Sequence, residues 1–183
     1  MVANIYYYNA EDVRLSLTSN GNNAVLYAGF DKSFYNGNSP YIDLVVKVPE
    51  HFGLTLDDGS GDTDIRGLQG DLQVEDGSGD LRISGGANVK VEDGSGNLLI
   101  EQVSGKLTVD DGSGDLTIRQ VADNVTIEDG SGDIVVNAVG GVVTIDDGSG
   151  DINVDGAGGL TILDSGSGGL KLNAINGPVK IND

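Results

Sequence analysis

The chain has 183 residues, a formal net charge of −19, 38 % hydrophobic residues and no cysteine. It is long enough for one domain, or a domain and a cap, around a real core, and too apolar for a disordered acidic tail. The charge repels phosphate backbones and anionic lipid, so nucleic acid and membrane surfaces are poor partners; without cysteine there is no disulfide or thiolate chemistry, and no apolar run reaches membrane-spanning length.

All nine aromatic residues precede residue 53: Tyr6, Tyr7, Tyr8, Tyr27, Phe30, Phe34, Tyr35, Tyr41 and Phe52. Segments DVRLSL, AVLYAGF and YIDLVVKV read as strands, the last merging into the first repeat. The expected organisation is an N-terminal β cap over residues 1–40, continuous with a repeat region over 41–183.

The repeat is the phrase DDGSGDLTI (Asp110–Ile118), with near copies beginning at Asp57, Glu75, Glu92, Glu128 and Asp146 and a worn copy, LDSGSGGLKL, at 163–172. The first glycines of its Gly-Ser-Gly fall at Gly59, Gly77, Gly94, Gly112, Gly130, Gly148 and Gly166, spaced 18, 17, 18, 18, 18 and 18. A fixed period of this length marks a stacked repeat. Each unit carries two runs with apolar residues two apart, such as Leu116 and Ile118 after the glycines and Val125 and Ile127 before the next acidic pair. That is the period of a strand with one buried face, and the runs are too short and too β-branched for helices. Two strands and two corners per unit predict an all-β, single-stranded parallel β-solenoid of seven rungs, stacked at about 4.8 Å over roughly 30 Å. Leu68, Val103, Val121, Val139, Ala157 and Ile175 supply an inward column at the second corner. The unit from Glu75 is one residue short near Gly85-Gly86; the unit from Asp146 loses one residue before Leu160 and gains one near Ser165, where a bulge is expected.

The acidic corner carries the candidate site. Its glycines are expected at positive φ, with backbone amides turned toward an aspartate in an Asx turn. Stacking places Asp58, Asp76, Asp93, Asp111, Asp129 and Asp147 in one file and Asp62, Asp80, Asn97, Asp115, Asp133 and Asp151 in another. Neighbouring charges about 5 Å apart repel by about 1 kcal/mol in water and by more beside an apolar wall. Oxygen-rich ladders suit Ca²⁺, so these aspartates are candidate calcium ligands, although the phrase fits neither the nonapeptide calcium roll nor the EF-hand.

Other patterns carry less. LDSGSGG with the lone His51 imitates a serine-hydrolase pair, but register makes Ser165 a decayed corner residue. The glycines precede no lysine and so form no phosphate loop. Polysaccharide lyases use parallel β-helices with basic residues beside a metal, whereas these ten lysines and arginines are scattered. The outward file Thr108, Thr126, Thr144 and Thr161 resembles an ice-binding ladder, yet β-propensity accounts for it.

With LVVKVPEHFGLTLDDGSGD (Leu44–Asp62) and the repeats after it, the chain resembles the bacterial adhesin-type β-solenoid family with DGSGD repeats. The resemblance extends from about Glu11 onward; Ser165 and Gly169 depart from it. It implies an exported or membrane-tethered bacterial protein, extracytoplasmic after removal of a signal or anchor not carried here, with links to envelope-stress sensing in some relatives. It brings no catalytic or cofactor-binding residues. The function expected is non-enzymatic: a structural or adhesive module meeting a protein or glycan at the cell surface. Self-association through the last rung is a further expectation.

Overall fold

The computed structural model describes residues 2–6, 12–31 and 40–182. The chain forms two compact units, Met1–Val48 and Pro49–Asp183.

In the first unit, β1 (Val2–Tyr6) pairs antiparallel with β4 (Tyr41–Val45), and β2 (Val13–Asn20) pairs antiparallel with β3 (Asn23–Phe30). The hairpin closes over two residues, where Gly21 adopts φ 61°. The three segments read as strands are β2, β3 and β4, and YIDLV has β1 as its partner. Tyr27 and Tyr41 are each 54 % exposed; Tyr7, Tyr8, Phe34 and Tyr35 lie outside the described residues.

The second unit is a parallel coil. One wall stacks β5 (Leu54–Asp58), β7 (Leu72–Asp76), β9 (Val89–Asp93), β11 (Leu107–Asp111) and β13 (Val125–Asp129). The other stacks β6 (Thr63–Arg66), β8 (Leu81–Ser84), β10 (Leu98–Val103) and β12 (Leu116–Val121). Further along, β14 (Ile134–Asp147) and β15 (Ile152–Asp164) run continuously around the second corner and contribute to both walls, followed by β16 (Leu170–Ile175) and β17 (Val179–Ile181). Every pairing is parallel and joins like to like: Leu98, Leu116, Ile134, Ile152 and Leu170 form one file, Val89, Leu107, Val125 and Val143 another. The result is an all-β parallel solenoid of about seven turns and about eighteen residues per turn.

Files make the core. Leu116, Ile118, Ile134, Val136, Val143, Ile145 and Ile162 are fully buried, and Val103, Val121, Val139 and Ala157 close the second corner. Each buried aliphatic side chain contributes about 1.5–3 kcal/mol against the cost of ordering the chain. In the short unit the inward corner position is Gly86, where an added Cβ would lie 2.6 Å from Val89 Cγ2; the tighter corner leaves no room for a side chain. Further up, pairing shifts between Val139–Ala157 and Val142–Gly159, then returns between Ile145–Ile162 and Asp146–Asp164. The lost residue is where the sequence places it. The compensating extra residue is Leu163, two positions before Ser165, and as the bulged residue it is left 46 % exposed.

Two backbone features differ from expectation. At the second corner, Gly67, Gly85, Gln102, Gln120, Ala138, Gly156 and Ala174 all take positive φ, from 51° to 113°, immediately before the inward residue. Four are not glycine and hold a left-handed conformation that costs roughly 1–2 kcal/mol, maintained by the register on either side. At the acidic corner, of the two glycines in Gly-Ser-Gly, it is the second that takes positive φ in the first six copies. The first is required for a different reason: a Cβ on Gly130 would lie 2.5 Å from the carbonyl oxygen of Gly112 below.

Stacking therefore sets the glycine requirement more than the turn does. A Cβ on Gly132 (φ 144°) would lie 1.8 Å from Gly114 O, whereas one on Gly61 (φ 117°) meets nothing within 4 Å. Gly132→Ala is expected to lower unfolding free energy by on the order of 4 kcal/mol, and Gly61→Ala by about 1–2 kcal/mol. Denaturant titration of the two variants checks this ranking; equal losses would place the whole penalty in φ.

Candidate functional site

The strand before each acidic corner ends in two carboxylates that face opposite ways, because side chains alternate across a strand. The first, in the file Asp57, Glu75, Glu92, Asp110, Glu128, Asp146, points outward along the rim, with Lys90 paired to Glu92. The second turns into the coil. Asp76, Asp93, Asp111, Asp129 and Asp147 are only 1–6 % exposed. The two aspartate files, both predicted as candidate calcium ligands, face opposite ways: the Asp58–Asp147 file faces in, the Asp62–Asp151 file faces out.

The inward file closes the turn. Oδ1 accepts the serine amide two residues on: Ser60 to Asp58 at 3.3 Å, Ser78 to Asp76 at 3.2 Å, Ser113 to Asp111 at 3.0 Å, Ser131 to Asp129 at 3.1 Å and Ser149 to Asp147 at 3.0 Å. This is the expected Asx turn. The second oxygen is another matter. In the first rung Thr63 Oγ1 donates to Asp58 Oδ2 at 3.1 Å. In the rungs above, the register position of Thr63 is filled by Leu81, Leu98, Leu116, Ile134 and Ile152. An aliphatic side chain replaces the hydroxyl. Oδ2 of Asp76, Asp93, Asp111, Asp129 and Asp147, and Oδ1 of Asp93, are then buried without a partner.

Burial without compensation favours the neutral carboxyl. It pushes Asp111 up to about 7, with the charges of Asp129 and Asp93 adding to the effect and the Ser113 amide opposing it. Burial likewise pushes Asp129 up to about 6 against the Ser131 amide, with Asp147 adding to the rise. Asp76, Asp93 and Asp147 are raised in the same direction, again chiefly by desolvation.

The outward file is a ladder of side chain to backbone. Asp62 Oδ1 accepts the Asp80 amide at 3.1 Å, Asp80 that of Asn97 at 3.1 Å, Asn97 that of Asp115 at 3.3 Å, Asp115 that of Asp133 at 3.1 Å and Asp133 that of Asp151 at 3.0 Å. Asp151 ends it by accepting the Gly169 amide at 2.7 Å. Each aspartate ties its corner to the next, which explains why Asn97 can stand in for one: its amide oxygen accepts the same bond.

Among the described residues, no three or more carboxylates or imidazoles form a group that could hold a metal ion. A shallow groove of about 400 Å³ runs along the first rungs, lined by Asp57, Asp58, Glu75, Asp76, Glu92 and Asp93. His51 packs edge-on against Phe52 with ring centroids 5.1 Å apart, at the opposite end of the stack from Ser165, roughly 25–30 Å away by rung spacing. The files Asp57–Asp146 and Gln102–Ala174 were the features sequence reasoning missed; the Gly67/Gly85 spacing hinted at the second.

Stacked like-on-like files with ladder-bonded corners define a parallel β-solenoid repeat protein. More specifically, the profile described as Toastrack DUF4097 matches residues 43–156, more than half of the chain, and the chain belongs to that family. Comparisons with curated proteins and with solved structures gave no match.

If the outward file is structural, its effect lies in the accepted bond. Asp133→Ala is expected to cost about 1 kcal/mol or more, while Asp133→Asn keeps the acceptor and stays near wild type. Thermal unfolding in the presence of salt separates the two; equal losses would show that charge, not the bond, is what matters.

Proposed function

We propose that this chain is a non-enzymatic structural module acting outside the cytoplasm in a bacterial cell envelope, adhesin-like in presenting flat sheet faces and an acidic rim to a protein or glycan. The observation that carries this reading is the continuous parallel stacking of β5 through β15, whose one register shift is compensated within β15, so that the repeat builds a rigid rod. The carboxylates that resemble a ligand set are engaged with the rod's own backbone or buried in it. Self-association belongs to the same proposal: among the described residues β16 and β17 pair on one side, and Leu170, Val179 and Ile181 beside that edge are 37–49 % exposed.

The location is tested on the full-length protein carrying an epitope within Met1–Val48, by protease treatment of intact source cells and of spheroplasts. Loss of the epitope while a cytoplasmic marker survives is expected; a protease-resistant cytoplasmic pool would overturn the reading.

A further inference from the structure

The unpartnered oxygens of the inward file raise a problem that neither the rod nor its rim solves. Five carboxyl groups stand one above another at about 4.8 Å, each closed off from solvent and each with at least one oxygen lacking a donor. An ionised carboxylate left this way is strongly unfavourable in an apolar interior and takes up a proton or a counter-charge instead. The charged groups acting on the file supply no counter-charge. Asp76 feels Asp93 and Asp58; Asp111 feels Asp129, Asp93 and Asp110; Asp129 feels Asp147 and Asp115; Asp147 feels Asp164, Asp133 and Asp146. From the facing strands come Leu and Ile, not lysine or arginine.

The ends of the file indicate what the middle needs. At the bottom, Thr63 gives Asp58 Oδ2 a hydroxyl donor. At the top, the residue that follows Asp164 in register is Ser165, so the buried carboxyl is replaced by a hydroxyl. Thr63 satisfies Asp58, whereas Asp147 Oδ2, in the rung under Ser165, has no partner, and no side chain supplies a donor to Oδ2 in the rungs between.

We propose that Asp76, Asp93, Asp111, Asp129 and Asp147 hold shared protons near neutral pH, a protonated carboxyl in one rung donating its O–H to a carboxylate oxygen in the next. The corner is then a proton-loaded column, its missing donors supplied by the protons themselves. A proton shared between stacked carboxyls belongs to the group, so the file titrates as a coupled set.

The consequence for stability has a definite sign. An aspartate in the unfolded chain titrates near 3.9. The folded values are raised, to about 7 for Asp111 and about 6 for Asp129. The folded state therefore holds more protons than the unfolded state between those limits. The contribution is fully present below about pH 4 and is lost as pH rises through 6 to 7, with a factor of about ten in the folding equilibrium per pH unit for each retained proton.

Denaturant unfolding of the full chain from pH 5 to pH 8 tests this, with two double variants that remove equal charge. For wild type the folded-to-unfolded ratio is expected to fall at least about tenfold across the range. Asp111→Asn with Asp129→Asn should flatten the profile and exceed wild type at pH 8, because each asparagine carries its own donor. Asp110→Asn with Glu128→Gln, on the rim, should keep the wild-type slope. Equal flattening in both doubles, or a wild-type slope in the inward pair, would overturn the proposal. Should the inward pair fail to fold, carboxyl-carbon NMR of wild type decides: titration of Asp111 and Asp129 above pH 5.5 supports shared protons, and titration near pH 4 defeats them. Millimolar Ca²⁺ should leave those resonances unmoved; their collapse to the ionised form with metal would assign the column to the cation and overturn the proposal.

Discussion

The constraint on which this molecule depends is the rung spacing. Parallel pairing holds successive turns about 4.8 Å apart, and at that distance the corner backbones nearly touch. Side chains that would occupy the gap are excluded, which is why Gly77, Gly94, Gly112, Gly130 and Gly148 each sit with the carbonyl oxygen of the glycine below at 2.5–2.6 Å from where a Cβ would be. At Gly59, which follows the first strand of the stack, an added Cβ meets nothing within 4 Å. The same spacing aligns every other side chain with its equivalent. Aliphatic files become a continuous core, and aspartate files become ladders, one bonded to the backbone of the neighbouring turn and the other buried against the aliphatic wall.

These two outcomes divide the acidic residues by function within the fold. On the outside, water solvates the charges and a carboxylate oxygen is free to accept the amide of the turn above, so Asp62 through Asp151 link corner to corner. On the inside, at Asp76, Asp111, Asp129 and Asp147 the Asx turn satisfies one oxygen and the aliphatic wall abandons the other. A chain with a formal charge of −19 thus keeps part of its acidity in a place where charge is hard to sustain. The rod-like architecture and the family membership agree with a structural module, and the envelope role proposed for it rests on the rod rather than on any catalytic constellation.

Most of the coil was legible in the sequence because period and alternation are both written in it. Leu116 over Ile134, the inward Val103–Val121–Val139 file and the short unit at Gly85-Gly86 all follow from counting residues. What counting did not separate was the pair Asp110 and Asp111. Adjacent in sequence and equal in chemistry, they differ only by which side of the strand each faces, and the corner glycines obscure where the alternation ends. Carrying the inward parity of Leu107 and Val109 one step further puts Asp111 inside. Gln102, Gln120 and Ala138 escaped for another reason: a left-handed residue that is not glycine leaves no compositional mark, since neighbouring register enforces its φ. The bulge at Leu163 was displaced by two residues from Ser165 because the glycine corner is fixed and the slack falls in the strand before it.

The two corners differ in what length they tolerate. Between the inward aspartate and the first inward residue beyond it there are always four residues, as from Asp58 to Thr63 and from Asp147 to Ile152. Across the other bend the interval is elastic: three residues separate Val121 from Val125, two separate Gly86 from Val89, and two separate Ala157 from Leu160. One hinge acts as the clock of the molecule and the other as its expansion joint. Foreign segments grafted at the elastic bend would leave the phase of later turns intact, which makes that edge the natural place for such a rod to diversify its surface.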